Sequence, residues 1–133
     1  MEDLEMKELV YNAIRTPDGT IMESKNRHDY QTYMDKNGHE YMVDGGLDYL
    51  RRNVVDAAPY EELSVYDDEP HILKRKVIKW GTYGINGNEP LRYVKLMEMN
   101  DGHIQACLDT ITGMRPSYRA AFIDELNFRK EVL

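Results

Sequence analysis

Asp44-Gly45-Gly46-Leu47-Asp48-Tyr49-Leu50-Arg51-Arg52 is the stretch whose residue types and spacing point most directly to chemistry. A double glycine that leaves a strand and opens a helix exposes backbone N–H groups. The helix dipole adds positive potential, so an anion can be held there. Arg51 and Arg52 follow more than a turn later and offer a guanidinium to the same ligand. The plainer alternative is a sharp strand-to-helix turn with solvated arginines. The spacing fits neither the Walker pattern nor the dinucleotide fingerprint. Asp44, Gly45, Gly46, Tyr49, Arg51 and Arg52 are therefore candidate ligand contacts of no named motif.

Two further stretches carry polar groups in suggestive company. The segment from Lys79 to Leu91 holds the only tryptophan and three of the nine glycines. Trp80, Thr82, Tyr83 and Asn86 are candidates for a pocket wall in which rings stack on a planar group and amides read its edge. Equally, Trp80 serves as core and the glycines as turn formers. In Arg27-His28-Asp29-Tyr30, a strand sends His28 and Tyr30 to one face and Asp29 to the other. That rules out a local histidine–carboxylate couple and leaves His28 and Tyr30 as ligand contacts. Cys107 has His103 one turn before it, but a cysteine on an apolar helical stripe reads as structural, since a thiolate needs an exposed, electropositive setting. No residue receives a catalytic role, no metal ligands are assigned and no cofactor is implied.

The elements that position these residues follow from periodicity and turn signals. Strands are predicted over 8–14, 20–24, 28–34 and 39–43, joined by Thr16-Pro17-Asp18-Gly19 and Lys36-Asn37-Gly38. Leu47, Leu50 and Val54 fall at helical spacing to about Asn53, and Ala57-Ala58-Pro59 ends that helix. A strand over 62–66 follows. Asp67-Asp68-Glu69-Pro70 then starts a helix in which Leu73, Val77 and Trp80 share a face. Leu91 to Leu96 reads as a strand. Asn100 caps a helix with the stripe Ile104, Cys107, Leu108 and Ile111, stopped by Gly113, and Pro116 opens a last helix to about Lys130. The expectation is a single α+β domain: an antiparallel β-meander over 8–44, zinc-ribbon-like but without metal ligands, and a helix-rich part over 45–133.

Composition narrows the function classes. A formal charge of −7 and a pI near 5.1 argue against a nucleic-acid binder, because phosphate neutralisation by Lys and Arg supplies most of that affinity. One cysteine excludes an internal disulfide and a cysteine-ligated zinc. The acidic start lacks the order of a signal peptide, and no apolar run spans a bilayer, so a cytoplasmic location is expected. Ten tyrosines against two phenylalanines fit half-buried sheet positions and contact surfaces.

Several stretches in order, among them Asn12-Ala13-Ile14, His28-Asp29-Tyr30, Val43-Asp44-Gly45-Gly46, Tyr49-Leu50-Arg51-Arg52, Leu63-Ser64-Val65-Tyr66 and Trp80-Gly81-Thr82-Tyr83-Gly84, resemble a family of small accessory proteins of tailed phages and prophages. The resemblance runs from about residue 10 to residue 129. Members often carry cysteine knuckles in the first hairpins, and this chain departs from them there. The family brings no reaction with it. The resemblance implies an accessory or anti-defence protein in the host cytoplasm that captures a nucleotide-like, phosphate-bearing small molecule without turning it over. Such a pocket would lie between the double-glycine turn and the tryptophan loop, and completion by a homo-oligomer is expected. The alternatives are an inhibitor that meets a host protein through an acidic, tyrosine-rich surface and, third, a nucleotide-processing enzyme.

Overall fold

The structure, a computed structural model, describes residues 7–53 and 59–132. It is α+β, with strands first and helices after. The chain divides into two compact units, Met1–Asp68 and Glu69–Leu133.

The first unit is a set of short antiparallel pairings. β1 (Leu9–Tyr11) pairs with β8 (Val65–Tyr66). β2 (Ala13–Arg15) lies between β3 (Ile21–Glu23) and β7 (Glu61–Glu62). β5 (Glu40–Asp44) lies between β4 (Gln31–Met34) and β6 (Arg51–Arg52). Period-two alternation sends Ile14, Met22, Tyr41 and Val43 into one buried cluster, with Tyr33 and Tyr60 packed against it. Because β7 and β8 return to β2 and β1, the β-rich part runs to Tyr66, well past the expected boundary at residue 44.

Both predicted hairpin turns form, and aspartates brace them. Gly19 and Gly38 take φ of 92° and 84°, the left-handed region open to glycine. Asp18 accepts from Thr16 and from the Thr20 N–H, and Tyr33 Oη donates to its other oxygen at 2.5 Å. Those hydrogen bonds hold its carboxyl well below the usual range. Asp35 accepts from the Asn37 and His39 N–H groups at 2.9 and 3.0 Å and from Tyr41 Oη at 3.0 Å. Burial, followed by that bond to Asp35, pushes the Tyr41 phenol up to about 12. Tyr33 and Tyr41 face each other across the β4–β5 pair with ring centroids 6.3 Å apart.

Two expectations for this unit fail. No helix follows Gly46: one turn, with the Asp48 and Tyr49 N–H groups donating to the Gly45 carbonyl, leads straight into β6. Pairing of Arg51 and Arg52 with Asp44 and Val43 overrides the helical spacing of Leu47 and Leu50. Val54, Ala57 and Ala58 lie outside the described residues. The strand expected from His28 begins only at Gln31, because Asn26 to Asp29 close a turn through the Asp29 N–H to the Asn26 carbonyl at 2.9 Å. His28 and Tyr30 thus precede the strand and do not share a pleated face.

The second unit starts with α1 (His71–Val77), and the backbone turns extended at Ile78. β9 (Lys79–Thr82) then pairs with β10 (Arg92–Lys95), a 3-10 turn covers Leu96–Glu98, and α2 (Asp101–Thr110) and α3 (Pro116–Glu131) close the chain. Trp80 therefore sits on a strand and not at a helix end. Asn100 caps α2 by accepting the His103 N–H at 2.8 Å, and Pro116 occupies the first turn of α3. Gly113 does not stop α2, which ends at an extended Ile111. The interior holds Ile78, Leu96, Ile104, Ala121 and Phe122, each 0 % exposed. Trp80 packs on Phe122 and Tyr118 at centroid distances of 5.3 and 6.4 Å.

A fully buried carboxylate organises this unit. Glu125 of α3 receives Arg75 Nε and Nη2 at 2.8 Å each, Arg129 Nε at 2.7 Å, and His71 Nε2 lies 2.9 Å away. Burial pushes the carboxyl up, but the bonds from Arg75, Arg129 and His71 outweigh it and hold it at about 2. Arg129 also donates to the Leu96 carbonyl at 3.1 Å and to Asp101 at 2.6 Å. It thereby ties the 3-10 turn and the start of α2 to α3.

Candidate functional site

The double-glycine turn is fully committed to its own unit. The Gly46 N–H donates to Ser24 Oγ and the Gly45 N–H to Asp44 Oδ1, both at 2.9 Å. Asn12, 0 % exposed, sends its amide nitrogen to the carbonyls of Asp44, Gly46 and Tyr49 at 3.0, 2.8 and 3.3 Å. A Cβ on Gly45 would meet the Tyr49 backbone, and one on Gly46 the Asn26 backbone. These glycines exist for close approach of chain to chain. With both N–H groups spent and no helix behind them, the anion site expected here is not built.

The arginines are likewise accounted for. Arg52, its side chain 6 % exposed, forms a two-pronged pair with Glu62 at 3.0 and 2.7 Å and also reaches Ser64. Arg51 is exposed and touches Asp44 at 3.4 Å. Tyr49 also reaches Asp44 at 3.4 Å. His28 and Tyr30 stand in solvent on their turn.

The second unit holds a cavity of about 650 Å³ between the β9–β10 ribbon, the 3-10 turn and the first turn of α2. Ribbon register explains its wall. Thr82 faces Arg92 across the pair, and Trp80 faces Val94, so Thr82, Arg92 and Val94 share one face. Met99, Asn100 and His103 come from the chain entering α2, and Glu98 ends the 3-10 turn. The Thr82 hydroxyl accepts the Gly84 N–H at 3.2 Å. Gly84, with φ of 86°, starts the loop back to β10, and a Cβ there would run into the Glu89 carboxyl.

The electrostatics of this cavity differ from those of the surrounding unit. Arg75, Arg129, His71, Asp101 and Glu125 are all held by internal pairs. Arg92 and the His103 ring, by contrast, have no hydrogen-bond or ion-pair partner among the described residues. Glu98 uses one oxygen to accept the Lys95 N–H at 3.2 Å. A guanidinium, an imidazole and a carboxylate with unspent capacity thus line a hollow whose remaining wall is apolar, through Ile85, Val94 and Met99.

Of the residues singled out from sequence, Thr82 alone lines this cavity. Trp80 is on the same ribbon face but packs on Phe122 and Tyr118 and does not line the cavity, while Tyr83 and Asn86 lie exposed on the loop. Arg92, Glu98 and Asn100 carry no site signal in the sequence, and His103 shows only its spacing from Cys107. Cys107 is buried and its thiol is pushed up by that burial, against thiolate chemistry. The missing signal was strand register, which sets Arg92 opposite Thr82 and is not written in either residue.

Among the described residues, no group of three or more His, Cys, Asp or Glu is arranged to hold a metal ion. No described helix is long and apolar enough to cross a membrane. No protein-family model matches the chain, and no curated protein or solved structure matches it either.

Proposed function

We propose that this chain is a non-enzymatic binding protein that captures a nucleotide-like, phosphate-bearing small molecule in the cavity of its second unit. The observation that carries the reading is that the unpaired guanidinium of Arg92 and the unpaired imidazole of His103 line one hollow of about 650 Å³. That volume lies within the range of about 300–1,000 Å³ typical of small-molecule sites. An oxyanion satisfies the guanidinium, and the Val94–Met99 wall takes an apolar body. The resemblance to phage accessory proteins gives the capture a purpose: removal of a host signal or metabolite in the host cytoplasm, by a protein that works as a homo-oligomer.

Exposed tyrosines favour a second reading. Tyr30, Tyr49, Tyr83 and Tyr93 are 40–58 % exposed, and such rings anchor protein interfaces. Under this reading the chain inhibits a host protein. A nucleotide-processing enzyme stands third.

Thermal-shift titration with nucleoside monophosphates, cyclic nucleotides and inorganic phosphate separates the three. Binding to the folded state raises the melting temperature by mass action, and Arg92→Ala abolishes the rise. Stable complex formation with a purified host protein that survives Arg92→Ala, with no nucleotide shift, supports the inhibitor. Conversion of the nucleotide, followed by chromatography, supports the enzyme.

A further inference from the structure

Resting on that reading, we infer that the ligand carries free sugar hydroxyls beside its phosphate, a nucleoside 5′-monophosphate with an intact ribose diol, and that Glu98 is the residue that selects it. A cavity meant only for an anion gains from Arg92 and His103 but is penalised by a carboxylate on its wall, because like charges repel. Glu98 is such a carboxylate.

Its placement is not loose. The Lys95 N–H holds one oxygen at 3.2 Å as part of the 3-10 turn. Arg129, fixed by Glu125, anchors that turn through the Leu96 carbonyl at 3.1 Å. The second carboxylate oxygen has no partner among the described residues. A positioned acceptor on the cavity wall, with one oxygen unpaired among the described residues, calls for a ligand that brings a donor. Paired hydroxyls on a ribose do this without adding charge, and acidic side chains read ribose hydroxyls in the same way in dinucleotide sites. The apolar wall then faces the base, with the phosphate left to Arg92.

An ammonium group would also satisfy Glu98, so the test includes one. Calorimetric titration of the full chain compares AMP, 2′,3′-dideoxy-AMP, ribose 5-phosphate and phosphoethanolamine, and repeats the first two with Glu98→Gln. AMP is expected to bind at least about tenfold more tightly than the dideoxy form, the discrimination typical of a hydrogen bond to a charged acceptor. Glu98→Gln should reduce that ratio to about two- or threefold while the melting temperature stays unchanged. Ribose 5-phosphate should bind more weakly than AMP, since it leaves the apolar wall uncovered. Equal affinity for AMP and its dideoxy form overturns the inference and leaves the phosphate site standing. Tighter binding of phosphoethanolamine than of AMP overturns it in favour of an amine. Silence from all four probes overturns the site itself.

Discussion

Glu125→Gln should loosen the second unit and flatten its response to acid. In the folded chain the carboxylate is 0 % exposed and takes three bonds of 2.7–2.8 Å from Arg75 and Arg129, with His71 Nε2 at 2.9 Å. Its pKa falls from 4.5 to about 2. That difference, at ~1.4 kcal/mol per tenfold change in acid constant, corresponds to roughly 3–4 kcal/mol of folding free energy. Water around the partly open Arg75 and Arg129 side chains, 15 and 22 % exposed, screens part of it, so about 2 kcal/mol is the firmer figure. The sign follows from the depressed value. The contribution is fully present above pH 4.5 and is lost as pH falls toward about 2. Removing the carboxylate charge leaves two guanidiniums facing each other half-buried, which adds to the loss at neutral pH.

Trp80 is the sole tryptophan and packs edge-on against Phe122 and tilted against Tyr118 within the same unit, so its fluorescence in urea titrations reports this unit directly. At pH 7 the variant should lose at least about 2 kcal/mol. Between pH 4.5 and pH 2.5 the wild type should lose stability that the variant does not. A neutral-pH loss under about 0.5 kcal/mol, or parallel acid profiles in the two proteins, refutes the reasoning.

Other perturbations test the remaining structural claims. Gly46→Ala, with φ of 54° and the Asn26 backbone where a Cβ would stand, should cost over about 2 kcal/mol in a denaturation curve, whereas Gly19→Ala, with φ of 92° and open space, should cost only about 1 kcal/mol. Asn12→Ala strands the buried carbonyls of Asp44 and Gly46 and should lower the first unit's stability by about 2–4 kcal/mol, read by hydrogen exchange at the Gly46 amide. Arg52→Ala, which breaks a two-pronged pair with Glu62, should lower the melting temperature by several degrees, and Arg51→Ala, exposed and 3.4 Å from Asp44, by almost none.

Local signals in the sequence were sufficient for both hairpin turns and for the cap and inner face of α2. Asp18-Gly19 and Asn37-Gly38 make the turns their side chains favour, Asn100 caps the next helix, and Ile104 and Cys107 face inward together. Two failures are local, the Asn26–Asp29 turn and the end of α2 at Ile111 ahead of Gly113; the others occur where a distant partner decides. Leu47 and Leu50 have helical spacing, but Asn12, more than thirty residues earlier, gathers the carbonyls of that turn and pairing with β5 takes Arg51 and Arg52. Trp80 continues the periodicity of Leu73 and Val77, yet Val94 claims it for a strand pair. The cavity was illegible for the same reason: Thr82, Arg92 and His103 meet only through register and packing, neither of which single residues announce.

Capture of a phosphate-bearing ligand requires that the unspent guanidinium of the second unit hold an oxyanion. Calorimetric titration of AMP into the wild type, Arg92→Ala and Arg51→Ala answers this in one experiment. The expected result is saturable binding that weakens at least about tenfold in Arg92→Ala and is unchanged in Arg51→Ala. Undiminished affinity in Arg92→Ala, or a loss confined to Arg51→Ala, contradicts the assignment and returns the site to the glycine turn or to neither.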